Sequence, residues 1–294
     1  ARRQRQMCIR DRFKGDAIST TSELVKISSD GNLGLEEGQK FERGGIYRFT
    51  VDVTKGNTKA VLTVEKVGKV DLPAPDIFFG NDKMEVTDTD IYKSDQAFTQ
   101  GQMITVTGID NLNEWWIDPD FFEKQSDGAL KFLPINGDYR VTANAVLKYF
   151  SVMALKDGKP AKLQDDGTGA IWAIGKGIGK PSVTSSEVGW EPSKALCLAQ
   201  VASKKYQLTL KAGETLKTSG DPEVISFKFF HQNDWGGEFG NYASSILVEQ
   251  LKLADSGNLE MQDNKAFEEG AVYRFTIDVT NGNANADLKV EKIN

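Results

Sequence analysis

The chain has 294 residues, 39% of them hydrophobic and 27% charged, with a formal net charge of −6. Such a length suits two or three domains with cores of their own, and the balance is globular rather than disordered. Basic residues are not gathered into one stripe, which argues against a nucleic-acid partner, and no apolar run reaches the roughly 20 residues of a membrane helix. The two cysteines, Cys8 and Cys197, offer no disulfide framework and leave the compartment open.

Residues 1–12, ARRQRQMCIRDR, form the most basic stretch. They read as a non-native tail, of the kind left by a translated sequencing adapter, and are set aside from fold reasoning. The chain is therefore expected to be an N-terminally truncated fragment. From Phe13 onward a repeat takes over. Residues 30–67 align without gaps on residues 256–293, with about half the positions identical and most others apolar exchanges such as Val51 for Ile277. In both copies a YRFT-x-DV run alternates large apolar and polar residues, the period of a half-buried strand. A Gly-Asn turn follows, then VLTVEKV or DLKVEKI, so each copy is predicted to close on a β-hairpin. Residues 13–69 read as the C-terminal part of one β-sandwich module.

Two prolines in LPAPD (72–76) mark a boundary. Beyond it QMITVTGI (102–109) and YRVTANAVLKYFSVMAL (139–155) read as strands, and GDYRVT echoes the closing hairpin, so residues 74–157 read as a middle sandwich. Adjacent Trp115 and Trp116 point to opposite faces of an extended chain, one core and one exposed. Asp118, Asp120 and Glu123, in WWIDPDFFE, satisfy the minimal inventory of a glycosidase. The proline and aromatics around them favour a structured turn in which the carboxylates serve fold or surface.

Residues 158–294 read as a complete third module. Asp165-Asp166-Gly167 lacks the full spacing of a calcium loop and reads as a turn. AIWAIG (170–175) reads as a strand with Trp172 in the core, and GKGIGK (175–180) as a glycine-rich connection without the pattern of a phosphate loop. SKALCLAQVA (193–202) is the best candidate for a short helical turn, ahead of strands at YQLTLKAG (206–213) and VISFKFF (224–230). The one histidine, His231, has no nucleophile-elbow companion, and His/Cys zinc sites are excluded by count. No catalytic residue, metal site or cofactor is expected.

The constellation that carries chemistry is FKFFHQNDWGGEFG (227–240). A buried strand runs into a loop with His231, Gln232, Asn233, Asp234 and Trp235, and the glycines after Trp235 permit sharp turns. Sugars present an apolar C–H face and a hydroxyl rim, so a sugar site wants an aromatic platform edged by amides and carboxylates. Trp190, in the VGWEPSK loop, is a second candidate platform. Lys228, flanked by phenylalanines, projects from the opposite strand face, where it could donate to a hydroxyl.

The order AIWAIGKGIGKPS, VGWEP, YQLTLKAG, ISFKFFHQNDWGGEFG, GNLEM, GAVYRFTIDV resembles the repeating modules of SusE/SusF-type outer-membrane glycan-binding lipoproteins. The resemblance covers about 170–294, reaches the first copy through the repeat, and touches the middle module through DIFFG, WWIDPDFFE and GDYRVT. It implies an all-β architecture of tandem immunoglobulin-like, carbohydrate-binding-module β-sandwiches. It further implies a lipid-anchored position on the outer face of a Bacteroidota-type outer membrane, a SusC/SusD-like importer as neighbour, and non-catalytic binding of polysaccharide or oligosaccharide. Trp190 and Trp235 then fall where the family places stacking aromatics, with Lys228 near the polar partner. Two readings stay open beside it: a structural or adhesion protein whose sandwiches bind protein partners, and an accessory region of a glycoside hydrolase.

Overall fold

A computed structural model describes residues 18–28, 32–37, 39–42, 44–56, 59–70, 74–218 and 224–294. The expected non-native tail, 1–12, lies outside them. The protein is an all-β, sandwich-type molecule, and its chain divides into two compact units, 1–74 and 75–294, described separately below.

In the first unit, Gly45–Asp52 pairs antiparallel with Ala60–Lys69, which also pairs in parallel with Ile18–Thr20. Val25–Ile27 and Leu33–Leu35 form a separate ladder. A small core gathers Ile18, Val25, Ala60 and Leu62.

The repeat is reproduced strand for strand in the second unit. Tyr47 faces Lys66 and Asp52 faces Val61, as Tyr273 faces Lys292 and Asp278 faces Asp287. Val25 opposite Leu35 corresponds to Leu251 opposite Met261. Even local contacts recur. The Phe41 and Tyr47 rings meet edge-on at 4.7 Å, and Phe267 and Tyr273 at 4.6 Å, while Glu42–Lys66 and Glu268–Lys292 are ion-paired in both. Register is a one-residue choice that decides which face is buried, so this identity means that both copies turn the same side chains inward. Burial of that face nevertheless differs. Phe275 is fully buried, whereas Phe49 is 49% exposed, and Leu33, Phe41 and Val51 are exposed with it.

The reason lies in what covers the second copy. Lys205–Lys211 pairs with Val272–Asp278, in a five-stranded sheet completed by Ala199–Ala202, Asp287–Lys292 and Ser244–Ile246. A second sheet runs through Glu187–Gly189, Trp172–Gly179, Ser226–Phe230, Leu259–Met261 and Leu251–Leu253. The two sheets meet where Phe227 and Phe229 pack on Phe275, at ring distances of 5.5 and 6.4 Å. Among the described residues of the first unit nothing corresponds to Lys205–Lys211 or Ser226–Phe230.

Residues 75–163 add a third sheet, ordered Lys159–Pro160, Tyr149–Lys156, Gly137–Asn144, Ile91–Phe98 and Glu85–Asp88. Its core, with Phe79, Phe98, Phe122, Phe132 and Phe150, is continuous with that of the C-terminal part. Two local expectations are corrected. The glycine-rich connection at 175–180 is strand: Trp172–Gly179 runs unbroken to Gly179. A Cβ on Gly175 would lie 2.3 Å from the Phe227 Cα, so glycine is what lets the neighbouring strand approach. The helical turn expected over 193–202 is confined to a 3-10 turn at Pro192–Lys194, followed by strands Leu196–Cys197 and Ala199–Ala202. Cross-strand partners at Trp172, Ala173 and Gln207 overrode the local pattern there.

Candidate functional site

Ser226–Phe230 buries Phe227 and Phe229 on one face, and Lys228 lies half-exposed on the other, the face it shares with Phe230. The chain then reverses. The His231 amide donates to the Gly237 carbonyl at 2.7 Å, and Gly236 and Gly237 take left-handed backbone at φ 83° and 68°. Within the reversal the Gln232 side-chain amide donates to the Trp235 carbonyl at 2.6 Å, and the Trp235 amide to Asp234 Oδ1 at 2.8 Å. Gln232 and Asp234 are therefore engaged in shaping the turn. Trp235 emerges from it 50% exposed, its ring edge-on to Phe230 at 6.0 Å.

Trp190 is brought to it from another sheet edge. It follows Glu187–Gly189, a strand paired with Trp172–Gly179 and tied down by Glu187, which accepts from Lys217 at 2.9 Å and from the Gly177 amide at 2.9 Å. The two indoles lie 6.3 Å apart, centroid to centroid, and within 26° of parallel. Side chains 45 positions apart in sequence thus form one aromatic pair, with Trp235 half in solvent and Trp190 partly buried against the core. Two polar atoms of the Trp235 loop, His231 Nε2 and Asn233 Oδ1, have no hydrogen-bond partner. Both atoms are buried, as are several other unpartnered polar atoms among the described residues, so they belong to the packing of the turn rather than to its exposed face.

His231 packs edge-on against Phe239 at 4.3 Å, and burial lowers its pKa below the usual histidine value. The neutral ring is favoured in the fold, so the unfolded chain takes up a proton first as pH falls. Its contribution to stability is intact above about pH 6.5 and is lost on acidification below it. The thermal midpoint should fall between pH 7 and pH 5, and His231→Gln should flatten that segment of the profile; an unchanged slope would remove His231 as its source.

The remaining tryptophans divide as follows. Trp172 is fully buried, with its indole N–H on the Ala161 carbonyl at 3.0 Å. Trp115 is buried and stacks on Phe150 at 4.7 Å, while Trp116 is half-buried and donates to Glu214 at 3.1 Å. Asp165-Asp166-Gly167 is a turn in which Asp166 accepts from the Thr168 amide at 2.9 Å.

Sequence reasoning did not find the most strongly charged buried group. Lys180 Nζ lies 2.8 Å from both oxygens of Asp118 and 3.0 Å from Asp120, and all three side chains are buried. Asp120 also accepts from the Thr209 amide and hydroxyl, each at 2.6 Å, and from Gln207 at 2.7 Å. Burial pushes the Asp120 carboxyl up, but Lys180 and these donors outweigh it and hold the pKa low. For Asp118 burial wins and the pKa is raised. Glu123, third of the carboxylates singled out, is exposed and lies 3.4 Å from Lys131. No local pattern reveals such a cluster, since Lys180 stands 60 residues or more from its acids.

Residues 6–54 and 166–280 match the family model described as Domain of unknown function (DUF5121). Residues 72–163 match a second, Domain of unknown function (DUF5125). No curated protein matches the chain. Carried across the repeat, the first copy's match ends where the second copy's does: Thr54 corresponds to Thr280.

Proposed function

The chain belongs to the DUF5121 family, and from that premise we propose that its domain over 166–280 is a non-catalytic carbohydrate-binding module that holds polysaccharide or oligosaccharide on the Trp190–Trp235 pair. The observation that carries this is the near-parallel pair itself, with Trp235 half in solvent. Exposing an indole forfeits burial of a large apolar surface, and here the loop's own hydrogen bonds are arranged to present it. An aromatic face takes the C–H side of a pyranose, whereas His231 Nε2 and Asn233 Oδ1 are buried and meet a hydroxyl only if the loop opens. Lys228, on the Phe230 side of its strand, is a donor to the hydroxyl rim. A spacer or adhesion module would have no need of a half-exposed indole stacked beside a second one.

The SusE/SusF-like order of motifs extends the proposal. The protein sits, lipid-anchored, on the outer face of an outer membrane, and passes glycan to a SusC/SusD-like importer. One shallow platform binds weakly, at roughly micromolar to millimolar Kd, and retention of polymer comes from several modules engaging one chain.

Affinity electrophoresis against plant and host glycans tests the site. The Trp190→Ala/Trp235→Ala double variant should lose retention entirely, and Trp235→Ala alone, at the half-exposed position, should weaken it with a thermal midpoint close to that of the parent. Retention unaltered in the double variant, or a collapsed fold on either single change, would return these tryptophans to a structural role.

A further inference from the structure

A cavity of about 360 Å3, sharing no lining residue with this platform, lies where residues of the DUF5125-matching stretch face the C-terminal module within the second unit. Its size lies within the range of small-molecule pockets. One wall is aromatic. Trp116 bridges in parallel to Tyr149, and its amide donates to the Lys148 carbonyl at 2.8 Å, so the two side chains are cross-strand neighbours. Along Tyr149–Lys156 the half-buried Tyr149 and exposed Ser151 line the cavity, and so do the buried Phe150 and Val152. The lining also carries the hydroxyls of Ser186 and Ser193, beside the apolar Trp172, Leu196 and Cys197. Asp118 and Lys180, already locked to each other, line its depth. The indole of Trp116 is held in place by its bond to Glu214.

We infer that this cavity is a second carbohydrate site, one that takes a single neutral pyranose ring between the Trp116–Tyr149 wall and the serine hydroxyls. The inference rests on the glycan-binding reading given above but uses none of its residues. Flat apolar rings together with small hydroxyl donors and acceptors match the two faces of a pyranose. A carboxylate-bearing ligand gains little, because the Lys180 ammonium is already neutralised by two carboxylates at 2.8 to 3.0 Å and Lys194, the other ammonium of the lining, pairs with Glu191 at 2.9 Å. A planar apolar ligand would leave the serines without partners. The cavity's volume suits a chain end or a free monosaccharide, whereas the tryptophan pair suits the middle of a polymer.

The test is an NMR titration of the full chain with glucose, galactose, mannose, xylose and N-acetylglucosamine, read at the Trp116 indole N–H and the Ser151 and Ser186 amides, beside affinity electrophoresis on the matching polysaccharides. A saturable shift at those three positions is expected with at least one sugar. It should persist in Trp190→Ala/Trp235→Ala and vanish in Ser151→Phe, which fills the cavity from an exposed strand position that tolerates an aromatic residue. Ser186→Leu blocks it independently at a second lining residue. Shifts confined to Trp190 and Trp235, or cavity shifts that survive both blocking variants, overturn the inference. So does the absence of any shift at tens of millimolar sugar while the parent is still retained by polysaccharide, and that outcome leaves the platform standing. Cavity shifts in a protein that no polysaccharide retains would support this site and overturn the platform instead.

Discussion

Replacing Lys180 by Met should cost the second unit about 3–5 kcal/mol, the penalty for stranding a buried charge without its partner. The substitution keeps the length and apolar stem of the side chain, so the loss is electrostatic rather than steric. Asp118 and Asp120 would be left buried side by side, with the donors from Thr209 and Gln207 serving only Asp120. The stability lost to the substitution should grow as pH rises through the carboxylate range. In the parent, Asp120 is held below its ordinary pKa, so its contribution is present above that ordinary value and is lost as pH falls through the lowered one. Without Lys180, burial raises both carboxyls; the folded state then binds protons that the unfolded state has released, and the variant loses stability relative to the parent as pH rises through that range. Urea unfolding at pH 4 and pH 7 distinguishes the cases. A loss relative to the parent that is no larger at pH 7 than at pH 4 would show that the cluster is not the buried triad described. Asp118→Leu combined with Lys180→Met should recover most of the loss, because the remaining carboxylate keeps its three donors.

Why this cluster escaped the sequence while the hairpins did not is a matter of range. Alternation within GIYRFTVD and VYRFTID is local, and turn residues three positions on confirm it, so strand and register follow from neighbours alone. The Lys180 cluster joins a turn, the end of one strand and the middle of another, from positions whose neighbours say nothing about one another. The tryptophan pair falls between these extremes. Each indole is legible as a loop aromatic followed or preceded by glycine, but their proximity depends on the pairing of Glu187–Gly189 with Trp172–Gly179 and of the latter with Ser226–Phe230. Gln232 and Asp234 show the limit of composition: the polar residues that suit a sugar rim also suit a tight turn, and the geometry uses these two for the turn. The glycine-rich 175–180 segment misleads for a related reason, since glycine in a strand marks close approach of a neighbour as readily as it marks a loop.

The repeat supplies the second large expected effect, as a matched pair of substitutions. Phe275→Ala should cost about 3–5 kcal/mol, since it empties a fully buried ring site against Phe227 and Phe229. In a unit of this size that lowers the thermal midpoint by roughly 10 °C. Phe49→Ala, at the same register position of the first copy, should cost about 0.5 kcal/mol. Its ring is half in solvent, and its recorded aromatic neighbour, Phe41 at 6.1 Å, is exposed as well. The two residues sit in the same hairpin, opposite Val64 and Val290, with the same turn behind them. Strand propensity and hairpin geometry therefore cancel in the comparison, and what is left is the burial supplied by Lys205–Lys211 and Ser226–Phe230. Hydrogen exchange over 45–52 and 272–278 reads each copy separately in the intact chain: the second segment should be deeply protected and should lose that protection in Phe275→Ala, while the first should change little in Phe49→Ala. Equal costs at the two positions would mean that the first copy's apolar face is covered in solution, and the difference between the copies would then not be one of burial.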